Sequence, residues 1–302
     1  MKTVAGLSKL PTGSYSLRMT GGIRTVGIVG SGIMGSGLAE VAARAGYDVI
    51  VTSRSQASAD GVLRTIHAGL SKAVERQKVT ADERDSVMAR IVAVEGFDSI
   101  GDCDLVIESV IEEIEVKLQL FAALDRATKP SAILATNTST LPVIDLAVAT
   151  ARPAQVCGIH FFNPATVMKL VEVVRPLTAC AETIDQAMAF VTSCGKDAVE
   201  VQDHAGFIVN ALLFPYLNDA VRMFERGTAS LESIDTAMKG GCNFPMGPFA
   251  LLDLVGLDTS VAILETIHAS FGNPGDAPAQ TLLDKVAAGH LGRKTKRGFY
   301  TY

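Results

Sequence analysis

Two groups of residues have types and spacings suited to chemistry. In GSGIMG, Gly30 permits a sharp turn after an apolar run, Gly32 lets a pyrophosphate approach the backbone, and Gly35 allows a helix to pack closely on a strand; Ser31, Ile33 and Met34 complete the turn. A helix starting here points its N-terminal N–H groups at an anion, so the chemistry implied is dinucleotide binding. Three glycines at this spacing exceed what packing alone requires. The second group is His160, near the end of the apolar run VCGIHFF, with Glu172 twelve residues on in KLVEVV. If those runs pair antiparallel through a short loop, the two side chains meet. A carboxylate beside an imidazole fixes its tautomer and favours the imidazolium, which suits proton abstraction near neutral pH. Taken alone, a His and a Glu on strands are more often a structural pair.

The elements that must position these groups follow from hydrophobic spacing. RTVGIV (24–29) is strand-like, LAEVAARAG has apolar residues at helical spacing with Gly46 closing the helix, and DVIVTS (48–53) is a second strand, which together make a βαβ unit. A long helix is expected from about Ala57 to Gln77. Strands are expected at ARIVAV, DLVIESV, SAILATN, VCGIHFF, KLVEVV and DAVEV, with a helix over 181–193. After Asp203 only helical periods remain, interrupted near Pro245 to Pro248 and Gly272 to Pro278. The expected architecture is therefore α/β: a Rossmann-type dinucleotide-binding domain over 23–203, then a smaller all-helical domain over 204–302 that serves substrate binding and dimerisation. Residues 1–22 carry Lys2, Lys9 and Arg18 with no acid; they read as a disordered tail with a weak transit-peptide look, and Met19 would make a tidy start.

Composition narrows the partners. The 302 residues include 27 Lys and Arg against 32 Asp and Glu, and the net charge of −5 argues against nucleic acid or an anionic membrane as partner. No apolar stretch is long enough to span a bilayer. Cys103, Cys157, Cys180, Cys194 and Cys242 are odd in number and form no CxxC pair, which suits packing in a reducing, cytoplasmic setting. No metal-binding cluster is evident.

The ribose position, at the end of the second strand, usually holds an acid that accepts from the adenosine 2′-hydroxyl. Here it reads Ser53, Arg54, Ser55. An acid would repel a 2′-phosphate, whereas an Arg flanked by hydroxyls would hold one, so the expected cofactor is NADP or NAD, with NADP favoured by Arg54. The alternative is a solvated surface Arg.

The set GSGIMG, DLVIESVIEEIEVKLQLF, ATNTSTLP, GIHFFNPATVMKLVEVV, DHAGFIVNALLFP, FPMGPFALLDLVGLD and RKTKRGFYTY closely resembles the L-3-hydroxyacyl-CoA dehydrogenase family over residues 23–302. The short, single-function chain is most similar to its bacterial 3-hydroxybutyryl-CoA branch. The resemblance implies His160 as catalytic base, Glu172 as its orienting partner, and Ser139 and Asn210 as polar groups on the substrate's reacting oxygen. It implies cofactor contacts from the Gly30 to Gly35 turn, the ribose-position residues, Glu112, Lys117, Ser139, Asn163 and Lys294. An acyl-CoA substrate would meet Ser139 and the basic residues Lys72 and Arg76, with Lys78 nearby; a solvated helix face explains those bases equally well. Departures are Gly69 where a CoA-contacting Ser is expected, Ala211 after Asn210, and Lys296 after Lys294 and Thr295. The rivals are a dehydrogenase of a free hydroxy acid or of an acyl-carrier thioester, and a non-catalytic cofactor-binding relative; the four-residue constellation argues against the last. The apolar helical half implies a homodimer.

Overall fold

The computed structural model describes residues 22–302, and the expected tail before Gly22 lies outside the described residues. The chain starts as strand β1 (Thr25–Val29), helix α1 (Ile33–Arg44), β2 (Asp48–Ser53) and α2 (Gln56–Glu75). It continues through α3 (Ala81–Ala89), β3 (Ile91–Glu95), β4 (Leu105–Glu108), α4 (Ile114–Ala127), β5 (Ile133–Thr136) and α5 (Val143–Val148). Strands β6 (Val156–Phe161) and β7 (Leu170–Arg175), helix α6 (Ala181–Ser193) and β8 (Asp197–Gln202) complete the first part. Helices α7 (Val209–Glu225), α8 (Leu231–Cys242), α9 (Pro248–Val255), α10 (Leu257–Phe271) and α11 (Gln280–Ala287) form the second.

Helix α3 is a correction to the sequence-based expectation, which passed from the long helix directly to the next strand. Its start is fixed by a capping box: the Thr80 hydroxyl accepts from the Glu83 N–H while the Glu83 carboxylate accepts from the Thr80 N–H. Only Val87 of this helix is buried, so apolar periodicity gives almost no signal. The preceding helix spans Gln56–Glu75, with Gln77 turning at φ +55°.

One eight-stranded sheet runs in the order β3-β2-β1-β4-β5-β6-β7-β8, and every neighbouring pair is parallel except β6 with β7. Parallel pairs require crossovers, and the helices that make them cover both faces, which is why the central strands β1, β4, β5 and β6 are buried on both sides while the edge strands β3 and β8 are partly exposed. Val26 and Ile28 pack into one layer with Leu38, Ile66 and Phe190, while Val29 joins Phe121, Leu124 and Leu146 in the other. A third core, including Phe214, Leu217, Phe249 and Leu264, holds the helices after β8 together. Cys103 and Cys157 are buried as packing thiols should be, and burial pushes both up to about 12, far from nucleophilic character; Cys180 and Cys242, in contrast, are exposed. Among the described residues no helix is long and apolar enough to cross a membrane.

The β6–β7 pair sets the geometry that matters most. Its register places His160 opposite Glu172 and Gly158 opposite Val174. A Cβ at Gly158 would lie 2.7 Å from the Val174 Cβ and 3.3 Å from a Val143 methyl, so this cross-strand position accepts no side chain without moving β7. Gly158→Ala is therefore expected to cost roughly 1–3 kcal/mol by overpacking. A urea-unfolding midpoint equal to that of the unsubstituted protein would show that the two strands are not held as closely as described.

Candidate active site

The site is built at the carboxyl ends of the parallel strands, where strand order reverses between β1 and β4. Gly30 leaves β1 at φ +130°, donates its N–H to the Thr52 carbonyl at 3.0 Å, and lies so close to the Ser109 carbonyl that no Cβ fits. Gly35, in the first turn of α1, is pressed onto the Gly30 carbonyl in the same way. At Gly32 a Cβ would meet nothing within 4 Å, so this side of the turn is open. Gly32 also caps α1 with no side-chain acceptor, and no acid sits in the first turn. The turn thus offers free N–H groups and an uncompensated positive helix end beside an open backbone, which fits the pyrophosphate of a dinucleotide. The side chain of Ile33 stands exposed beside it.

His160 and Glu172 are both buried, and the His160 Nδ1 lies 2.7 Å from one Glu172 carboxylate oxygen. A carboxylate only accepts, so Nδ1 carries the proton and Nε2 is left as the basic atom. The other Glu172 oxygen accepts from the N–H groups of Ile208 and Val209 at 3.0 Å each, at the start of α7. One carboxylate therefore orients the imidazole and anchors the helix that carries Asn210. The ring of His160 packs against Phe162 and Phe207, with centroids 4.5 and 5.5 Å away. Phe207 adopts φ +50° after Gly206 at +75°, a left-handed pair that turns the chain from β8 into α7. Just before it, Asp203 accepts from the Val143 and Ile144 N–H groups at the start of α5, and burial pushes its carboxyl up.

Ser139 is placed by a polar network whose inner part is buried and whose outer member, Glu112, is exposed. Its N–H donates to the Glu112 carboxylate at 2.7 Å, which also accepts from the Thr138 hydroxyl and lies 3.2 Å from the Lys117 ammonium. That ammonium donates in turn to both oxygens of Glu108, at 2.6 and 2.8 Å, and Glu108 further accepts from the Val110 N–H and the Thr136 hydroxyl. Lys117 is only 1% exposed, so its link to the site runs through Glu112. The Asn210 amide donates to the Ser139 carbonyl at 3.4 Å, which brings α7 to the same loop. Asn137 supports the arrangement by accepting from the Phe161 N–H.

The structure thus brings together His160, Glu172, Ser139, Asn210, Glu112 and Lys117. Asn163 is exposed in the loop after β6, and Lys294 forms an ion pair with Asp258 at 2.6 Å in the helical part. Lys72 is exposed on α2, Arg76 is exposed directly after its last residue, and Arg54 is exposed after β2. Glu108, Thr138 and Phe207 were not picked out from sequence. For Glu108 the signal was present: an acid closing an apolar strand nine residues before a lysine.

Two family models cover nearly all of the described chain. The 3-hydroxyacyl-CoA dehydrogenase NAD binding domain matches residues 25–204, and the 3-hydroxyacyl-CoA dehydrogenase C-terminal domain matches 206–302. A 3-hydroxybutyryl-CoA dehydrogenase of Mycobacterium tuberculosis is 45% identical over 94% of this chain and 100% of its own length. Among solved structures, M. tuberculosis FadB2 superposes with a TM-score of 0.90 at 45% identity, covering 93% of this chain and 99% of that one. The (S)-3-hydroxybutyryl-CoA dehydrogenase PaaH1 of Ralstonia eutropha does so at 0.91 and 39% identity, with coverage of 93% and 99%.

Because the buried Glu172 carboxylate satisfies three donors, Glu172→Ala leaves them unpaired and is expected to lower stability by roughly 2–4 kcal/mol. Glu172→Gln keeps an acceptor for the α7 N–H groups and should cost less than half of that. Equal unfolding midpoints for the alanine variant and the parent protein would show that the carboxylate does not tie the sheet to α7.

Proposed function

The chain belongs to the 3-hydroxyacyl-CoA dehydrogenase family, and from that premise we propose that it is an oxidoreductase that interconverts a short 3-hydroxyacyl-CoA, of the 3-hydroxybutyryl class, and its 3-keto form with a nicotinamide cofactor. The observation that carries this proposal is the buried His160 and Glu172 pair on β6 and β7 of the same sheet whose β1 leads into the glycine turn. When bound, the nicotinamide supplies the hydride acceptor or donor. His160 holds its Nε2 free because Nδ1 is engaged by Glu172, and it takes the proton of the substrate's 3-hydroxyl as the C3 hydrogen departs as hydride. Glu172 stabilises the imidazolium that forms. In the reverse direction His160 returns that proton to the ketone oxygen. Ser139 and Asn210 orient the reacting oxygen, while Glu112 and Lys117 hold the loop that carries Ser139. Phe162 and Phe207 exclude water from one side of the imidazole. We assign Gly30, Ser31, Gly32, Ile33, Met34 and Gly35 to the pyrophosphate and Ser53 and Arg54 to the adenosine ribose. Asn163 and Lys294 are assigned to the nicotinamide end, and Lys72 and Arg76 to the CoA phosphates.

His160→Ala should lower kcat by roughly 10²- to 10⁴-fold with acetoacetyl-CoA. Glu172→Gln should also slow turnover while folding, because an amide donating to Nδ1 forces the proton onto Nε2 and removes the base. Near-parental kcat in the alanine variant would overturn the assignment of His160. Free acetoacetate turned over as well as acetoacetyl-CoA would overturn the thioester assignment.

We place the junction between the domains after Asp203 and assign the helical part to self-association, in a cytoplasmic setting that suits free cysteines. Leu212 on α7 is 71% exposed, Leu254 on α9 49%, and Phe244 before α9 42%, which is apolar surface of the kind that marks association. A homodimer is expected, and light scattering that gives a monomer mass at micromolar concentration would rule it out.

Arg54, with no acid beside it on β2, favours NADPH over NADH. Arg54→Ala should lower the NADPH-to-NADH ratio of kcat/KM by roughly tenfold, the lower end for a charge-assisted hydrogen bond at an exposed position. An unchanged ratio would leave Arg54 without that role.

A further inference from the structure

The end of β2 lacks an acid, yet the structure supplies one from the neighbouring strand. Strands β2 and β3 pair in parallel with Ser53 level with Glu95, and the Gly96 N–H donates to the Ser53 carbonyl at 3.2 Å, so the two strands end together. From there the Glu95 carboxylate reaches the start of α2 and accepts from the Gln56 N–H at 3.1 Å. Gln56 is the first residue of that helix, and its N–H belongs to the set of unpaired donors that a phosphate at this position would use. The hydroxyls beside Arg54 are engaged as well. Ser53 donates to the Ser55 carbonyl at 2.8 Å, and the Ser55 hydroxyl accepts from the Ser58 N–H and lies 3.0 Å from the Ser58 hydroxyl. The Gln56 amide faces a second acid, Asp60, at 2.8 Å. Of the groups credited with holding a 2′-phosphate, the exposed Arg54 has neither a hydrogen bond nor an ion pair among the described contacts, and a carboxylate holds the backbone donor next to it.

On the premise that the end of β2 is the ribose position, we infer that Glu95 is a specificity-determining residue. Its charge, delivered from β3, opposes a 2′-phosphate and competes with it for the Gln56 N–H, so cofactor selectivity is a balance between Arg54 and Glu95. Relocating the acid from β2 to β3 leaves the Arg free and keeps a brake on the NADPH preference. Sequence inspection of the ribose position misses this brake, because Glu95 is separated from Ser53 by the whole of α2 and α3.

The test is calorimetric titration of the whole protein with adenosine 2′,5′-bisphosphate and with ADP, for the parent, Glu95→Gln and Arg54→Ala. Glutamine keeps an acceptor for the Gln56 N–H and removes only the charge. Glu95→Gln should tighten the 2′-phosphorylated probe relative to ADP by roughly 5- to 10-fold, the scale of one like-charge contact near the surface, and the gain should shrink in 0.5 M NaCl. The NADPH-to-NADH ratio of kcat/KM should rise in parallel. If Arg54→Ala lowers the relative affinity for the bisphosphate but Glu95→Gln leaves it unchanged or weakens it, the role of Glu95 is overturned while the ribose position stands. If neither substitution changes it, the ribose position itself is wrongly placed and the inference falls with it.

Discussion

A single carboxylate, that of Glu172, ties the chemistry of this protein to its architecture. It is fully buried, where an unpaired charge would be costly, and all of its compensation comes from three donors on two different parts of the molecule. The imidazole comes from the adjacent strand of the sheet, and the two N–H groups come from the start of α7. Satisfying the carboxylate therefore requires the sheet and the first helix of the second part to be in place together. With His160 as the proposed base, proton transfer requires the helical part to be seated, because the group that fixes the His160 tautomer also holds the helix that carries Asn210.

A second polar network plays the corresponding role on the other side of the site. Lys117 and Glu108 neutralise each other beneath the strand ends, and Glu112 extends from them to the Ser139 loop. A buried pair of this kind is weak evidence of stability, since desolvation offsets much of the attraction. Its value here is geometric: Glu108 engages Thr136 and Val110 at the ends of β4 and β5, so the loop is referenced to the rigid sheet.

Much of this was legible in the amino-acid sequence, for identifiable reasons. The glycine turn could be read because each glycine meets a separate steric demand, and Gly30 and Gly35 do abut backbone where no Cβ fits. The meeting of His160 and Glu172 followed from one assumption, antiparallel pairing through a short loop, which the register bears out. Helix α3 was missed because an amphipathic face with one buried residue leaves no period to detect, although Thr80 and Glu83 announced its start. The burial of Lys117 was illegible because a lysine beside acids on a helix looks the same whether it faces water or the sheet. Glu95 was passed over because a strand end gains meaning only from the strand beside it.

The antiparallel turn between β6 and β7 has a consequence for how the site could diversify. The separation of imidazole and carboxylate is set by the spacing of two hydrogen-bonded strands and by a register locked at Gly158 and Val174, none of which involves the connection between them. Residues 162–169, which make that connection, include the exposed Asn163, Val167 and Met168. Apart from Phe162, whose ring packs on the imidazole, and Asn163, assigned to the cofactor, the segment does not set the spacing of the pair, so its exposed Val167 and Met168 can vary while the imidazole–carboxylate geometry stays constant.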